Sequence, residues 1–452
     1  MRKTTDASNS PEKQFEFDEA FEHFRALVDP QEIYALQSDG PGTVYTSQVT
    51  VWMLVYQRLH ANATLTDAVT DFIESNPAEV SSNRRVLEER LSANTGAYSR
   101  ARKRLKPEVT DWVANYIYTT LTDAFPPFLD GRRAFILDGT TIKLAPTKAL
   151  RAAFPPASNQ HGAGVWPIAH LLVAHELESG CAILPEIGAM YGADAISEVA
   201  LTKRIMSRLP AHSILLADRN FGVFAVAYTA VEAGHDVLLR LTRQRFEALV
   251  RKAQLLPQSK PGQRCWKHSW TPSAKERKSH PELPANAAFV VTLHEIKISK
   301  TLTLLLVTTL DHPPAILAAL YGRRQDVETD IRDVKVTLKL EEVRAHSVEM
   351  LKKEIATSMV AYNLVIQVRR LAAKLAGVKP RRLSFSGVWS AVRIILMSPH
   401  HWTSEQWRAK FRRALKIAGQ RKLPNRPGRS YERKALPRRN KSTSGSRKTA
   451  GP

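Results

Sequence analysis

Tyr321, Arg324, Glu328 and Lys335 stand three, four and seven residues apart. At 3.6 residues per turn they fall at about 0°, 300°, 340° and 320° around a helix, one stripe roughly 60° wide if the helix runs unbroken through Gly322. The stripe offers a carboxylate that can hold a cation, beside a guanidinium, an ammonium and a phenol that can hold a phosphate. The same spacing also describes an ordinary solvated face with i,i+4 ion pairs. Two further acids end apolar runs. Asp138 follows AFIL and precedes GTT; Asp218 follows SILLA and precedes RNFG. A carboxylate at the end of a buried strand is costly unless positive charge offsets its desolvation. Neighbouring strands would bring the two acids together; otherwise each is a turn or cap residue.

These side chains need elements to position them. From Phe15 to Phe128 apolar residues recur three and four apart, in FDEAFEHFRALV, TSQVTVWMLVYQRL, LTDAVTDFI and VTDWVANYIYTTLTDAF. That period reads as helices. Among them residues 95–105 are basic, with Arg100, Arg102, Lys103 and Arg104. After Pro126-Pro127 short strands are expected at 134–144, 167–177 and 181–189. A helix over 194–209, with Asp194 at its N-cap, precedes a strand at 213–217, a helix at 223–233 and a strand at 235–241. Three strands, a helix, a strand, a helix and a strand is the order of an RNase H-like α/β core, although many mixed folds share it. Residues 242–310 turn basic and then β-rich, an insertion ahead of a last helical region opened by Pro313-Pro314.

The charge narrows the partners. Sixty-six Lys and Arg against 43 Asp and Glu give +23 over 452 residues. A polyanion is the natural counterpart of such a field, and nucleic acid is the commonest one. Residues 410–452 alone hold 15 Lys or Arg and one Glu, a tail expected to stay flexible until it meets that polyanion. The length suits two or three domains. The chain is read as a helical N-terminal DNA-binding region (1–128), an α/β RNase H-like core containing the β-rich insertion (129–375), and a helical C-terminal region with a basic tail (376–452). Cys181 and Cys265 form no zinc or disulfide pattern. The N-terminus lacks the apolar stretch of a signal peptide, and no apolar run is long enough to span a bilayer. A soluble cytoplasmic protein is expected.

The ordered acids and the Tyr321-x2-Arg324-x3-Glu328-x6-Lys335 set resemble the Y-R-E-K signature of bacterial insertion-sequence DDE transposases of the IS-four group. LDGTT around Asp138 and LLADRNFG around Asp218 are similar to that family's first and second catalytic motifs. The insertion between Asp218 and Glu328 resembles the family's, as do GAYSRARKRL, HGAGVWP (His161–Pro167) and AYN (Ala361–Asn363). The likeness covers roughly residues 45–440.

The resemblance implies Mg²⁺-dependent cleavage of DNA ends followed by strand transfer. Asp138, Asp218 and Glu328 would be the catalytic metal ligands for two Mg²⁺ ions, with Mn²⁺ able to stand in. Tyr321, Arg324 and Lys335 would hold the phosphate of a transposon end, or pair internally with the acids. The implied partners are double-stranded DNA, both ends and target, and a second copy of the chain in the synaptic complex. Arg100, Arg102, Lys103 and Arg104 are the candidates for end binding. Arg240, Arg243 and Arg245 would add nonspecific phosphate contacts. Trp266 and Trp270, among Arg264, Lys267 and His268, suit either stacking on a flipped base or the core of the insertion. Glu198 lies where the resemblance also implies an acid near the core; it is read as a helix-surface residue, with a supporting role as the alternative, and His170 and His175 as structural. A transposase-derived DNA-binding protein that no longer cuts, and a related RNase H-like nuclease, remain the rival readings.

Overall fold

The computed structural model describes residues 33–60, 63–74, 83–123, 129–159, 162–257, 262–337, 340–395 and 404–424. The expected lead (1–12), His161 and the tail beyond 424 lie outside them.

A nine-stranded mixed sheet forms the centre. Its strands are β1 (Ala134–Lys143), β2 (Ile168–Glu176), β3 (Glu186–Ala189), β4 (Ile214–Ala217), β5 (Asp236–Arg240), β6 (Gln254–Leu255), β7 (Gln263–Trp270), β8 (Phe289–Lys297) and β9 (Thr303–Thr308), in the order β3-β2-β1-β4-β5-β9-β8-β7-β6. β1, β2 and β3 are antiparallel neighbours, whereas β4 runs parallel to β1 and β5 parallel to β4. β2 is buried along nearly its whole length, its apolar residues interrupted by the buried His170, His175 and Glu176, which fits a sheet covered on both faces. The insertion is not a separate body. Its last strand, β9, pairs antiparallel with β5, so the hairpins of the insertion prolong the same sheet.

Helices of eight residues or more among the described residues are α1 (Ser47–Leu59), α2 (Leu65–Glu74), α3 (Gly96–Arg104), α4 (Pro107–Asp123), α5 (Glu198–Met206), α6 (Phe224–Glu232), α7 (Arg243–Val250), α8 (Pro314–Gly322), α9 (Gln325–Arg332), α10 (Val348–Leu375), α11 (Phe385–Ile395) and α12 (Ser404–Gln420). The 28-residue α10 is buried on almost every side, packing against α1, α4, α11 and α12. One apolar core runs from Ile33 through the sheet to Ala418. The divisions drawn at 128 and 375 follow composition, and packing crosses both.

Four local expectations change. Ser197, not Asp194, caps α5: its hydroxyl accepts from Ala200 N at 3.2 Å, so Glu198 becomes the first helical residue. The strand expected over 181–189 shortens to β3, with Ala182 making one bridge to His175. Residues from Lys410 to Gln420, expected in a flexible tail, belong to α12, which buries Phe411, Ala414, Leu415 and Ala418. The helix expected to carry all four signature residues is interrupted between α8 and α9, and passes at Asp333–Thr337 into a π-helical turn. No described helix is long and apolar enough to cross a membrane.

Candidate active site

The register of the two parallel strands places the first two acids. Ala134, Phe135 and Ile136 of β1 pair with Ile214, Leu215 and Leu216 of β4. Two residues on, Asp138 and Asp218 stand at the same level of adjacent strands, whose spacing is about 4.8 Å. Side chains repeat on one face every second residue, so both carboxylates issue from equivalent positions. β1 continues beyond this level, paired to β2 with Asp138 opposite Val173. β4 ends at Ala217, and Asp218 turns the chain, its carboxylate accepting from Asn220 N at 2.8 Å.

Asp138 is half-buried, and its carboxyl is pushed up to about 6. Burial is the main cause and the neighbouring Asp218 the second. Arg324 and a hydrogen bond from Gly139 N act the other way, while Glu198 adds to the rise. Three acids and one guanidinium therefore share this end of the β1–β4 pair.

Arg324 arrives from the junction of α8 and α9, and α9 packs across β1 and β2. Its guanidinium donates to Glu328 at 3.1 Å, an i,i+4 pair. Glu328 is 45% exposed, whereas Arg324 is 17% exposed. The cation thus lies inward, between Glu328 and the strand acids it acts upon. Tyr321 is buried, its phenol pushed up to about 12 by desolvation, against which the Arg324 and Arg240 guanidiniums work. Lys335 sits half-buried on the π-helical turn. Among the described residues no three carboxylate, imidazole or thiolate groups are already drawn into metal-ligand geometry. The structure brings Asp138 and Asp218 to one level of adjacent strands with Arg324 acting on Asp138, whereas Glu328 is linked to this end only through its pair with Arg324.

Glu198, set aside on sequence, belongs to this cluster. Its carboxylate lies over the Cα of Gly139: a Cβ there would collide with Oε1 and come within 2.8 Å of Cδ. His170, opposite Thr141 on β2, approaches Glu198 Oε1 at 3.5 Å. The hydrogen bond to Glu198 raises the His170 imidazole, against the effect of burial. The sequence signals were the position of an acid in the resembling family and the Ser197-Glu198 pair at a helix start, neither of which says what the helix faces.

Behind α9 lies a second network. Arg381 donates to both oxygens of Asp330 at 2.9 Å, and Asp330 is 1% exposed. Arg381 also pairs with Asp326 at 3.0 Å. This clamp fixes the helix that carries Glu328. Arg245 does the same for the Asp218 turn, donating to the carbonyls of Arg219 (3.0 Å) and Gly222 (3.3 Å).

Trp266 and Trp270 do not offer faces for a base. They are 7% and 4% exposed, edge-on to Phe246 and Phe224 respectively. Strand alternation explains it: Trp266, His268 and Trp270 share the inward face of β7, and Lys267 and Ser269 the outward one, while the exposed Arg264 shares the face of Trp266 and lays its guanidinium over that ring at 5.5 Å. Of the basic residues on α3, Arg100, Lys103 and Arg104 are exposed, Arg104 donating to Tyr45 O at 3.0 Å. Arg102 is 14% exposed and paired with Glu354. Arg243 pairs with Glu247 on the outside of α7.

Residues 129–364 match the family model described as transposase DDE domain. No curated protein matches the chain. Among solved structures, the cryo-EM structure of a piggyBac transposase synaptic complex with hairpin DNA is similar at a TM-score of 0.40 and 12% identity, covering 91% of this chain and 84% of that one. A likeness that loose carries no argument.

Proposed function

The chain belongs to the DDE transposase family, and from that premise we propose an insertion-sequence enzyme of the IS-four group whose catalytic centre is Asp138, Asp218 and Glu328. DDE transposases cut DNA and transfer the cleaved strand, using divalent metal ions. The observation that supports the assignment is the parallel register of β1 and β4, which brings Asp138 and Asp218 to one level; Arg324, which pairs with Glu328 and acts on Asp138, is the link to the third acid. The strand order β3-β2-β1-β4-β5 with α5 and α6 supports an RNase H-like core. The Y-R-E-K identity rests on the sequence spacing.

The donor set fits a hard divalent ion such as Mg²⁺, which takes carboxylate oxygens. Asp138 is held protonation-prone by burial and by neighbouring acids, and the Arg324 guanidinium already supplies the positive charge this cluster calls for. We assign Asp138, Asp218 and Glu328 as ligands of two Mg²⁺ ions, replaceable by Mn²⁺. Bound there, the ions would neutralise charge at a phosphorus undergoing in-line displacement. Arg324, released from Glu328, and Lys335 then face the phosphate, Arg as a planar fork and Lys as a point charge. Tyr321, neutral at any working pH because burial disfavours its phenolate, keeps its proton and serves as a donor. Glu198, steadied by His170, screens the Gly139 side of the site.

Double-stranded DNA, as transposon ends and target, is the substrate, and pairing of two ends calls for two copies of the chain. The test is to incubate the purified protein with its own flanking DNA and Mg²⁺ and to sequence the products. Strand ends cut at the element boundary and joined to new DNA are expected. Binding without cutting would leave a DNA-binding protein, and cutting without joining a nuclease; either overturns the proposal.

A further inference from the structure

Away from the acids, a cavity of about 420 Å³ opens between α1, α3 and the start of α10. Arg58, Arg102, Lys103, Arg344 and His346 line it, against a single acid, Glu354. That acid is fully engaged. Its Oε2 takes Arg58 Nη2 and the backbone N of Arg344 (3.0 Å), and its Oε1 takes Arg102 Nη2 at 3.1 Å. Glu354 is 2% exposed and Arg58 5%, so this pairing forms the floor. Lys103, Arg344 and His346 are exposed at the rim. One carboxylate that already serves two guanidiniums cannot neutralise two more cations. The cavity therefore keeps an excess of positive charge in a partly desolvated place, where an anion is bound more strongly than on an open surface.

The backbone adds to this field. Ser347 caps α10, its hydroxyl accepting from Met350 N at 3.2 Å, and the positive end of a 28-residue helix dipole points to the same place. The walls are fixed. Lys353, 1% exposed, donates to the carbonyls of Arg102 (3.0 Å) and Lys103 (3.3 Å), closing the C-terminal end of α3 onto α10. The floor, the cap and this clamp leave the Lys103 and Arg344 side chains as rim cations with no hydrogen bond or ion pair among the described contacts, Arg344 acting at longer range on the exposed Asp67.

We propose that this cavity seats a backbone phosphate of bound duplex DNA, gripped by Lys103 and Arg344 over a floor made by Arg58, Arg102 and Glu354. The seat divides the α3 cluster by role: Arg102 builds the site and Lys103 meets the ligand. It also gives DNA held by the N-terminal helices a direct contact with the segment that follows Lys335. The proposal rests on the transposase reading, and its test is chosen to fail separately.

The test uses the full chain and a fluorescent duplex carrying the flanking DNA, with anisotropy measured over a range of salt. Lys103→Ala with Arg344→Ala should weaken binding about tenfold at 0.1 M salt and lower the slope of log K against log salt by about 0.9, the loss of one phosphate contact. Lys374→Ala, an exposed cation at the far end of α10, should change neither by more than about twofold. Replacing single phosphates by neutral methylphosphonates should reveal one position that weakens wild type and leaves the double variant unaffected. A double variant with wild-type affinity and slope sinks the seat alone. A wild-type chain that binds no duplex at any salt sinks the seat and the transposase reading together.

Discussion

Asp138→Asn should make the metal-free protein more stable at neutral pH, and the gain should vanish in acid. The carboxyl titrates near 6 in the folded chain against an ordinary 3.8. A folded-state value raised in this way favours the protonated form, so its contribution to stability is complete below about pH 4 and is lost as pH rises through 6. About two pKa units correspond to roughly 3 kcal/mol at about 1.4 kcal/mol each. Solvent reaches this half-buried group, and screening brings the expectation to about 1–2 kcal/mol. An Asn retains the shape and can keep the acceptor for Gly139 N, and it cannot ionise. Urea unfolding in chelator at pH 7.5 and pH 4 measures the difference. The variant should be the more stable by about 1–2 kcal/mol at pH 7.5 and equal to wild type at pH 4. Equal stability at both values, or a variant weaker at pH 7.5, would refute the reasoning that burial and facing acids strain this site. Mg²⁺ should then stabilise wild type and leave the variant unmoved.

Three further outcomes follow from the same geometry. Gly222→Ala drives a Cβ into the carbonyl oxygen of Arg240, a backbone atom that cannot step aside; stability should fall by about 1–3 kcal/mol, and nicking should fall with it because the Asp218 turn must shift. Arg381→Ala strands the buried Asp330 carboxylate and should lower stability by about 3–5 kcal/mol in urea titration, far more than Arg243→Ala on the exposed face of α7. Gly139→Ala meets only the movable end of Glu198, so stability should change by less than about 1 kcal/mol. The displaced acid should meanwhile lower the apparent pKa of the cleavage profile, since Glu198 is one of the groups raising Asp138.

The strand acids were legible because each ends an apolar run, and short apolar runs become neighbouring strands in a mixed sheet. Their common level was not, since it depends on a register that only pairing reveals. The Arg324–Glu328 pair followed from i,i+4 spacing, yet the break before α9 did not: Arg323 and Arg324 both keep right-handed helical angles, and Gly322 alone does not predict where the hydrogen-bond ladder fails. Glu198 escaped because its importance lies in what is missing opposite it, the side chain of Gly139. For the tryptophans of β7 the sequence left stacking and core roles open, and the burial of both decides for the core, as the period-two alternation allows. Arg102 was counted as a ligand for DNA by its charge. Its partner, Glu354, stands 252 residues away and carries no local mark.

The central claim is that three acids distant in sequence act as one metal-holding group in DNA cleavage. Mg²⁺-dependent nicking of a plasmid bearing the flanking DNA, by Asp138→Asn, Asp218→Asn and Glu328→Gln side by side, tests it most directly. Each variant should be folded by circular dichroism, bind duplex as wild type does, and cut nothing. Wild-type nicking by any of the three, Glu328→Gln above all, would contradict the account.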